Sequence, residues 1–152
     1  MSTERYESPL ASRYASDYML TFSALRAQAQ IAAAAKTAPT PPCSEKRKFS
    51  TWRRLWVALA EGERELGLPI SEEQIAELRA HVDDINYEVA DAREREVRHD
   101  VMAHIYAYGK AAPTAAGILH LGATSCYVTD NADLVLYRDA LRYLHGELLT
   151  VL

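Results

Sequence analysis

LHLGATSCYVTDN, residues 119–131, is the stretch from which this chain is best read. A short apolar run closes at Gly122, and a turn of small residues, Ala123-Thr124-Ser125, opens into a helical pattern. The first turn of a helix carries unpaired N–H groups and partial positive charge, so an anion can sit there without a dedicated cation. The ordinary alternative is an N-cap, with the Thr124 or Ser125 hydroxyl accepting from the next turn. After the turn, Leu134, Tyr137, Leu141, Leu144 and Leu148 recur at three-four spacing, with Asp133, Arg138, Asp139, Arg142 and Glu147 between them. No C-cap closes this helix before Leu152, so it reads as cut rather than finished. Its apolar face is expected to be sticky for want of neighbours.

Before the turn, an expected helical tract starts near Asp84 or Asn86, is densely charged over residues 91–96, and changes character at VRHDVMAH, residues 97–104. Gly109 and Pro113 are expected to close it. Ser71-Glu72-Glu73-Gln74 reads as a capping box that starts a helix with Ile75, Leu78 and Val82 inside. An earlier helix begins at Thr51 with Trp52, Leu55, Trp56, Leu59 and Leu66 inward and Arg53, Arg54, Glu61 and Arg64 outward; Gly67 and Pro69 end it. Residues 24–45 run from an Ala/Gln-rich stretch into TAPTPP and read as a low-complexity insertion. Residues 1–18 are turn-like and hold Arg13-Tyr14, which joins a guanidinium fork to an aromatic hydroxyl and could clamp a phosphate. With no strand-period run and no internal repeat, the expected class is all-α.

Composition bounds the function. The 152 residues suffice to bury a core, and 17 basic against 21 acidic residues give no nucleic-acid surface. Two cysteines, Cys43 and Cys126, form neither a disulfide framework nor a CxxC pair, which points to a reducing compartment. The first ten residues contain Glu4 and Glu7 and lack the apolar core of a signal peptide. The most apolar window, residues 19–35, is broken by Arg26, Gln28 and Gln30 and is not expected to span a membrane. A cytoplasmic protein is the expectation.

Arg98-His99-Asp100 is the densest polar cluster. If His99 and His104 share one helix, five residues separate their side chains by about 140° around its axis, which excludes a zinc pair of the i, i+4 kind. No metal site is expected. An imidazole between charges can move a proton or contact a phosphate near neutral pH; on spacing alone, the cluster could equally continue the charged face before it. No GxSxG, P-loop or GxGxxG occurs.

Taken together, SPLASRYAS (8–16), KFSTWRRLWVALAEGERELGLPISEEQI (48–75), RHDVMAH (98–104) and AAGILHLGATSCYVTDNADL (115–134) resemble the amino-terminal part of eukaryotic adenylosuccinate lyases, within the fumarase/aspartase superfamily. That resemblance implies an all-α homotetramer with active sites shared between subunits. The implied reaction is β-elimination of fumarate from adenylosuccinate, giving AMP, and from the succinylated carboxamide ribotide of purine synthesis, with no cofactor. It assigns Arg13 and Tyr14 to the nucleotide phosphate, Arg98, His99 and Asp100 to the nucleotide site, and Thr124 and Ser125 to the succinyl carboxylate. His99 would assist the acid chemistry, while the principal acid and base would lie beyond residue 152. The implied division is an N-terminal segment (1–23), the insertion (24–45), a helical domain (46–123) and the start of a central bundle (124–152). Another superfamily lyase, such as argininosuccinate lyase, or a non-catalytic helical module from a truncated gene would be the competing identities.

Overall fold

The structure is a computed structural model that describes residues 44–151. Arg13, Tyr14, Cys43 and the insertion up to residue 43 lie outside the described residues. Among the described residues five α-helices follow in order, α1 (Glu45–Glu65), α2 (Glu72–Ala80), α3 (Tyr87–Val97), α4 (Asp100–Ala111) and α5 (Ser125–Val151), with a 3-10 turn at Ala116–Ile118. Among the described residues there is no strand, so the all-α class holds.

The chain divides into two compact units, Phe49–Ala132 and a second that joins the residues up to Lys48 with Asp133–Leu152. The first is built on α1. Trp52 and Trp56 are fully buried, and Ile75, Leu78, Val101, Tyr108 and Val128 from the other helices join them in one core. Phe49, Trp52 and Trp56 stand edge to face along the helix, at 5.2 and 6.2 Å between ring centroids, an arrangement that favours positive ring edges against negative faces. His104 stacks on Phe49 at 3.6 Å inside the same core.

Local signals explain the element ends. Gly67 takes φ +94°, and the Gly67 and Leu68 N–H groups donate to Arg64 O and Glu63 O, the Schellman pattern that ends a helix. The Ser71 box forms as expected, with Ser71 Oγ accepting from Gln74 N–H and the Gln74 side chain accepting from Ser71 N–H. Glu77 then accepts from the Thr114 and Ala115 N–H groups and the Thr114 hydroxyl, pinning the turn after α4.

Four expectations are corrected. Leu66 is 84% exposed, because it occupies the helix cap beyond the last full turn, where three-four spacing no longer points inward. Leu68 packs on the core instead. Arg53, expected outside, is buried beneath the residues that join α2 to α3. Its Nη1 donates to His81 O at 2.5 Å and Asp84 O at 2.7 Å, and its guanidinium carbon lies 4.3 Å from the Tyr108 ring centroid. The single tract over residues 84–111 is two helices, broken at Arg98-His99. Finally, Gly109 does not end α4. It lies inside the helix, where an added Cβ would meet Ala116 Cβ at 3.1 Å, so the glycine admits the 3-10 turn.

In the second unit, Arg47 pairs with Asp139 at 2.7 Å, and this hydrogen bond holds the Asp139 carboxyl below the usual carboxylate range. Leu134, Tyr137, Leu141, Leu144 and Leu148 are all exposed. A stripe of this kind favours association. The chain should therefore sediment as a concentration-dependent mixture of species, and Leu141→Glu with Leu148→Glu should shift it towards monomer; a wild-type monomer at all concentrations would contradict this.

Arg53 generates a stability prediction. Arg53→Met keeps the aliphatic volume but removes both bonds, leaving His81 O its contact with the Asp84 N–H and Asp84 O without the guanidinium, and should lower the unfolding free energy by about 1–3 kcal/mol. Urea titration of both proteins measures it.

Candidate functional site

The Arg98-His99-Asp100 cluster is shaped by the break between α3 and α4. Arg98 adopts the left-handed conformation (φ 52°, ψ 42°), with its N–H donating to Glu94 O at 2.7 Å. For a residue with a side chain this costs roughly 1 kcal/mol. The kink turns His99 out of α3 and makes it the N-cap of α4, its Nδ1 accepting from Met102 N–H at 3.4 Å. His99 and His104 are therefore not on one helix face, so the helical angle offered against a metal pair does not apply. The separation is more complete than that, since one ring caps α4 and the other is buried in the core. Among the described residues no three His, Cys, Asp or Glu side chains gather as metal ligands would.

Asp100 opens α4, where a carboxylate is favoured by the helix dipole. Its Oδ1 accepts from its neighbour Val101 N–H at 2.7 Å and lies 3.8 Å from His99 Nδ1. A ring nitrogen that accepts from Met102 carries no proton to offer the carboxylate, so the His99–Asp100 approach becomes an ion pair only once the imidazole is protonated. Arg98 and His99 are exposed, free to meet a ligand.

Thr124 and Ser125 sit at the start of α5, in the same unit as the cluster. Thr124 is exposed, and its carbonyl accepts from Tyr127 N–H at 3.0 Å. Tyr127 in turn donates its hydroxyl to Leu55 O at 2.9 Å, tying the first turn of α5 to α1.

Sequence reading missed His120. It lies in the turn five residues before Ser125, with φ 60°. Its Nδ1 accepts from the indole N–H of Trp56 at 2.9 Å. Burial, and then the charge of His99, hold its pKa below the ordinary histidine value. Arg98 and His120 are the two non-glycine residues with positive φ among the described residues, and strained backbone of this kind gathers at functional sites. A histidine two residues before a turn glycine was the available signal, but its contact with Trp56 is not written in any spacing.

Beside His99 a groove of about 690 Å3 runs along α4, with Val97, Met102 and Pro113 on its walls. Arg93 and Lys110 stand over the Tyr106 ring at 5.1 and 5.3 Å, giving the groove a cationic rim. The N-terminus of α4 with Arg98 and His99, and the N-terminus of α5 preceded by His120, each offer groups suited to an anion and to proton transfer.

The depressed His120 pKa sets a pH dependence. The folded state favours the neutral ring, so this stability is complete above about pH 6.5, where the unfolded histidine is also neutral. It is lost as pH falls through the folded pKa. His120→Asn, which tolerates the left-handed backbone, should flatten the decline in unfolding free energy between pH 7.5 and 5, measured by urea titration at each pH.

No family model matches the chain. Among curated proteins it is similar to the adenylosuccinate lyase of Saccharomyces cerevisiae, 44% identical over 152 residues, covering 98% of this chain and 27% of that protein. It is likewise similar to the adenylosuccinate lyase of Schizosaccharomyces pombe, 52% identical over 112 residues (72% of this chain, 23% of the relative), and to that of Schistosoma mansoni, 43% identical over 143 residues (93% and 25%). The chain thus spans about a quarter of the length of the curated relatives it matches. With an all-α fold and this identity running along most of its length to several eukaryotic relatives, the chain belongs to the adenylosuccinate lyase family.

Proposed function

We propose that this chain supplies one part of the active site of an adenylosuccinate lyase, which releases fumarate from adenylosuccinate to leave AMP and from the succinylated carboxamide ribotide to leave its amine. The observation that carries the reading is the identity to several adenylosuccinate lyases along most of the chain, and the strained backbone at Arg98 and at His120, ahead of the N-termini of α4 and α5, supports it.

In such an elimination a base removes the proton next to a carboxylate, and the resulting aci-carboxylate needs stabilisation. An acid then protonates the leaving nitrogen as the carbon–nitrogen bond breaks. Thr124, Ser125 and the N-terminal amides of α5 suit a substrate carboxylate, because the developing negative charge meets fixed donors there. Arg98, His99 and Asp100 line the nucleotide side, with His99 assisting protonation of the leaving group. Arg13 and Tyr14 complete the phosphate contacts in this reading. His120 joins the set in this reading because its strained turn leads into α5. The reaction needs no cofactor. In the same reading residues 46–123 form the first helical domain and residues 124–152 begin a central bundle of a homotetramer, in the cytoplasm, and the principal acid and base come from other parts of the enzyme.

Two assays test this. The chain alone should release no fumarate from adenylosuccinate, and appreciable turnover would refute the division of the site. Replacing the aligned part of the Saccharomyces cerevisiae relative with this chain should give an active lyase, and His99→Gln in that chimera should lower kcat by about 10²-fold or more. A folded chimera with no elimination, or one indifferent to His99→Gln, would overturn the assignment.

A further inference from the structure

We propose that Trp56 is a positioning residue that fixes His120 as the tautomer with its proton on Nε2, so that the turn before α5 presents an N–H donor to the substrate anion. The functional half of this inference rests on the reading above; the tautomer itself does not.

The geometry is specific. Trp56 is 1% exposed and sits in the middle of α1, locked by Trp52 on one side and Tyr108 on the other, at 6.2 and 6.0 Å between ring centroids. Its indole N–H has one direction to point, and it meets His120 Nδ1 at 2.9 Å with the two rings perpendicular. Indole is a donor only. Nδ1 must therefore accept, and a neutral imidazole that accepts at one nitrogen carries its proton at the other. A packed core ring thus dictates the hydrogen-bonding character of a site ring 64 residues away along the chain. The left-handed turn at His120 makes the same commitment from the backbone side, holding the ring at this nitrogen-to-nitrogen contact at the expense of local strain. Protonating Nδ1 would set two donors against each other, which agrees with the lowered affinity of His120 for a second proton.

The consequence for chemistry is a division of labour between the two imidazoles. His120, held neutral, can donate a hydrogen bond from Nε2 but cannot use Nδ1 as a base. His99 caps α4 at an exposed position, its Nδ1 accepting from the Met102 N–H at the longer distance of 3.4 Å.

Long-range 1H–15N spectra of the imidazole nitrogens of this chain at pH 7.5 read the tautomer directly. His120 should appear as a single species protonated at Nε2. Trp56→Phe keeps an aromatic ring but removes the donor; in it, His120 should become a mixture of tautomers and its pKa should rise towards 6.5. A wild-type His120 protonated at Nδ1, or a folded variant with unchanged tautomer and titration, would overturn the lock. Should Trp56→Phe not fold, the wild-type spectrum still decides. In the yeast chimera, Trp56→Phe should lower the elimination rate about tenfold, the size of effect usual for a residue that orients a functional histidine. An unchanged rate alongside a shifted tautomer would remove His120 from the reaction. A chimera that is inactive while the tautomer is as expected would sink the lyase reading and leave the lock standing.

Discussion

The first unit depends on how completely α1 is buried. Trp52, Arg53 and Trp56 occupy adjacent positions around the helix, and all three are enclosed. Two are apolar anchors. The third brings a charge into the interior, where the peptide carbonyls of His81 and Asp84 accept from its Nη1 and the face of Tyr108 lies against it, while its Nε and Nη2 are buried without a hydrogen-bond partner. The arrangement works in both directions, since the link between α2 and α3 has few backbone partners of its own and takes its shape from the guanidinium. Tyr108 completes the cluster by donating its hydroxyl to Leu78 O at 2.7 Å. Burial raises its pKa despite the cation beside it, so it remains a phenol.

From that anchored helix, order passes to the site through aromatic contacts. Trp56 reaches His120, and Leu55 O receives the Tyr127 hydroxyl. The turn over residues 119–124 is therefore held from α1 at both of its ends. On the other side, Glu77 gathers the N–H groups of residues 114 and 115, which sets where the segment after α4 begins. A turn carrying a strained residue needs such support, because a left-handed histidine would relax if its neighbours did not over-determine it.

The break between α3 and α4 is open to solvent. Arg98, His99 and Thr124 are exposed, and a cationic groove continues from His99 along α4. A cation held over an aromatic face, as Arg93 and Lys110 are over Tyr106, keeps its charge available at the groove's rim.

Periodicity and capping chemistry were enough, without coordinates, to place the helix over residues 72–80, the helix that starts at Ser125, the Gly67 stop, the Ser71 box and the tryptophan core, because each rests on neighbours within about one or two helical turns; the first helix begins at Glu45, six residues before the expected Thr51. The resemblance carried by RHDVMAH and HLGATSCYVTDN pointed to the family for a similar reason, being a matter of residue order alone. Tertiary structure decided the rest. Arg53 reads as surface because its spacing is that of a charged face, and only the carbonyls arriving from residues 81 and 84 make its burial possible. Arg98 reads as mid-helix because no glycine or proline marks the break, and its left-handed turn runs against local preference. His120 acquires meaning only when α1 delivers an indole N–H to it, a contact between residues too distant along the chain for any local pattern to encode.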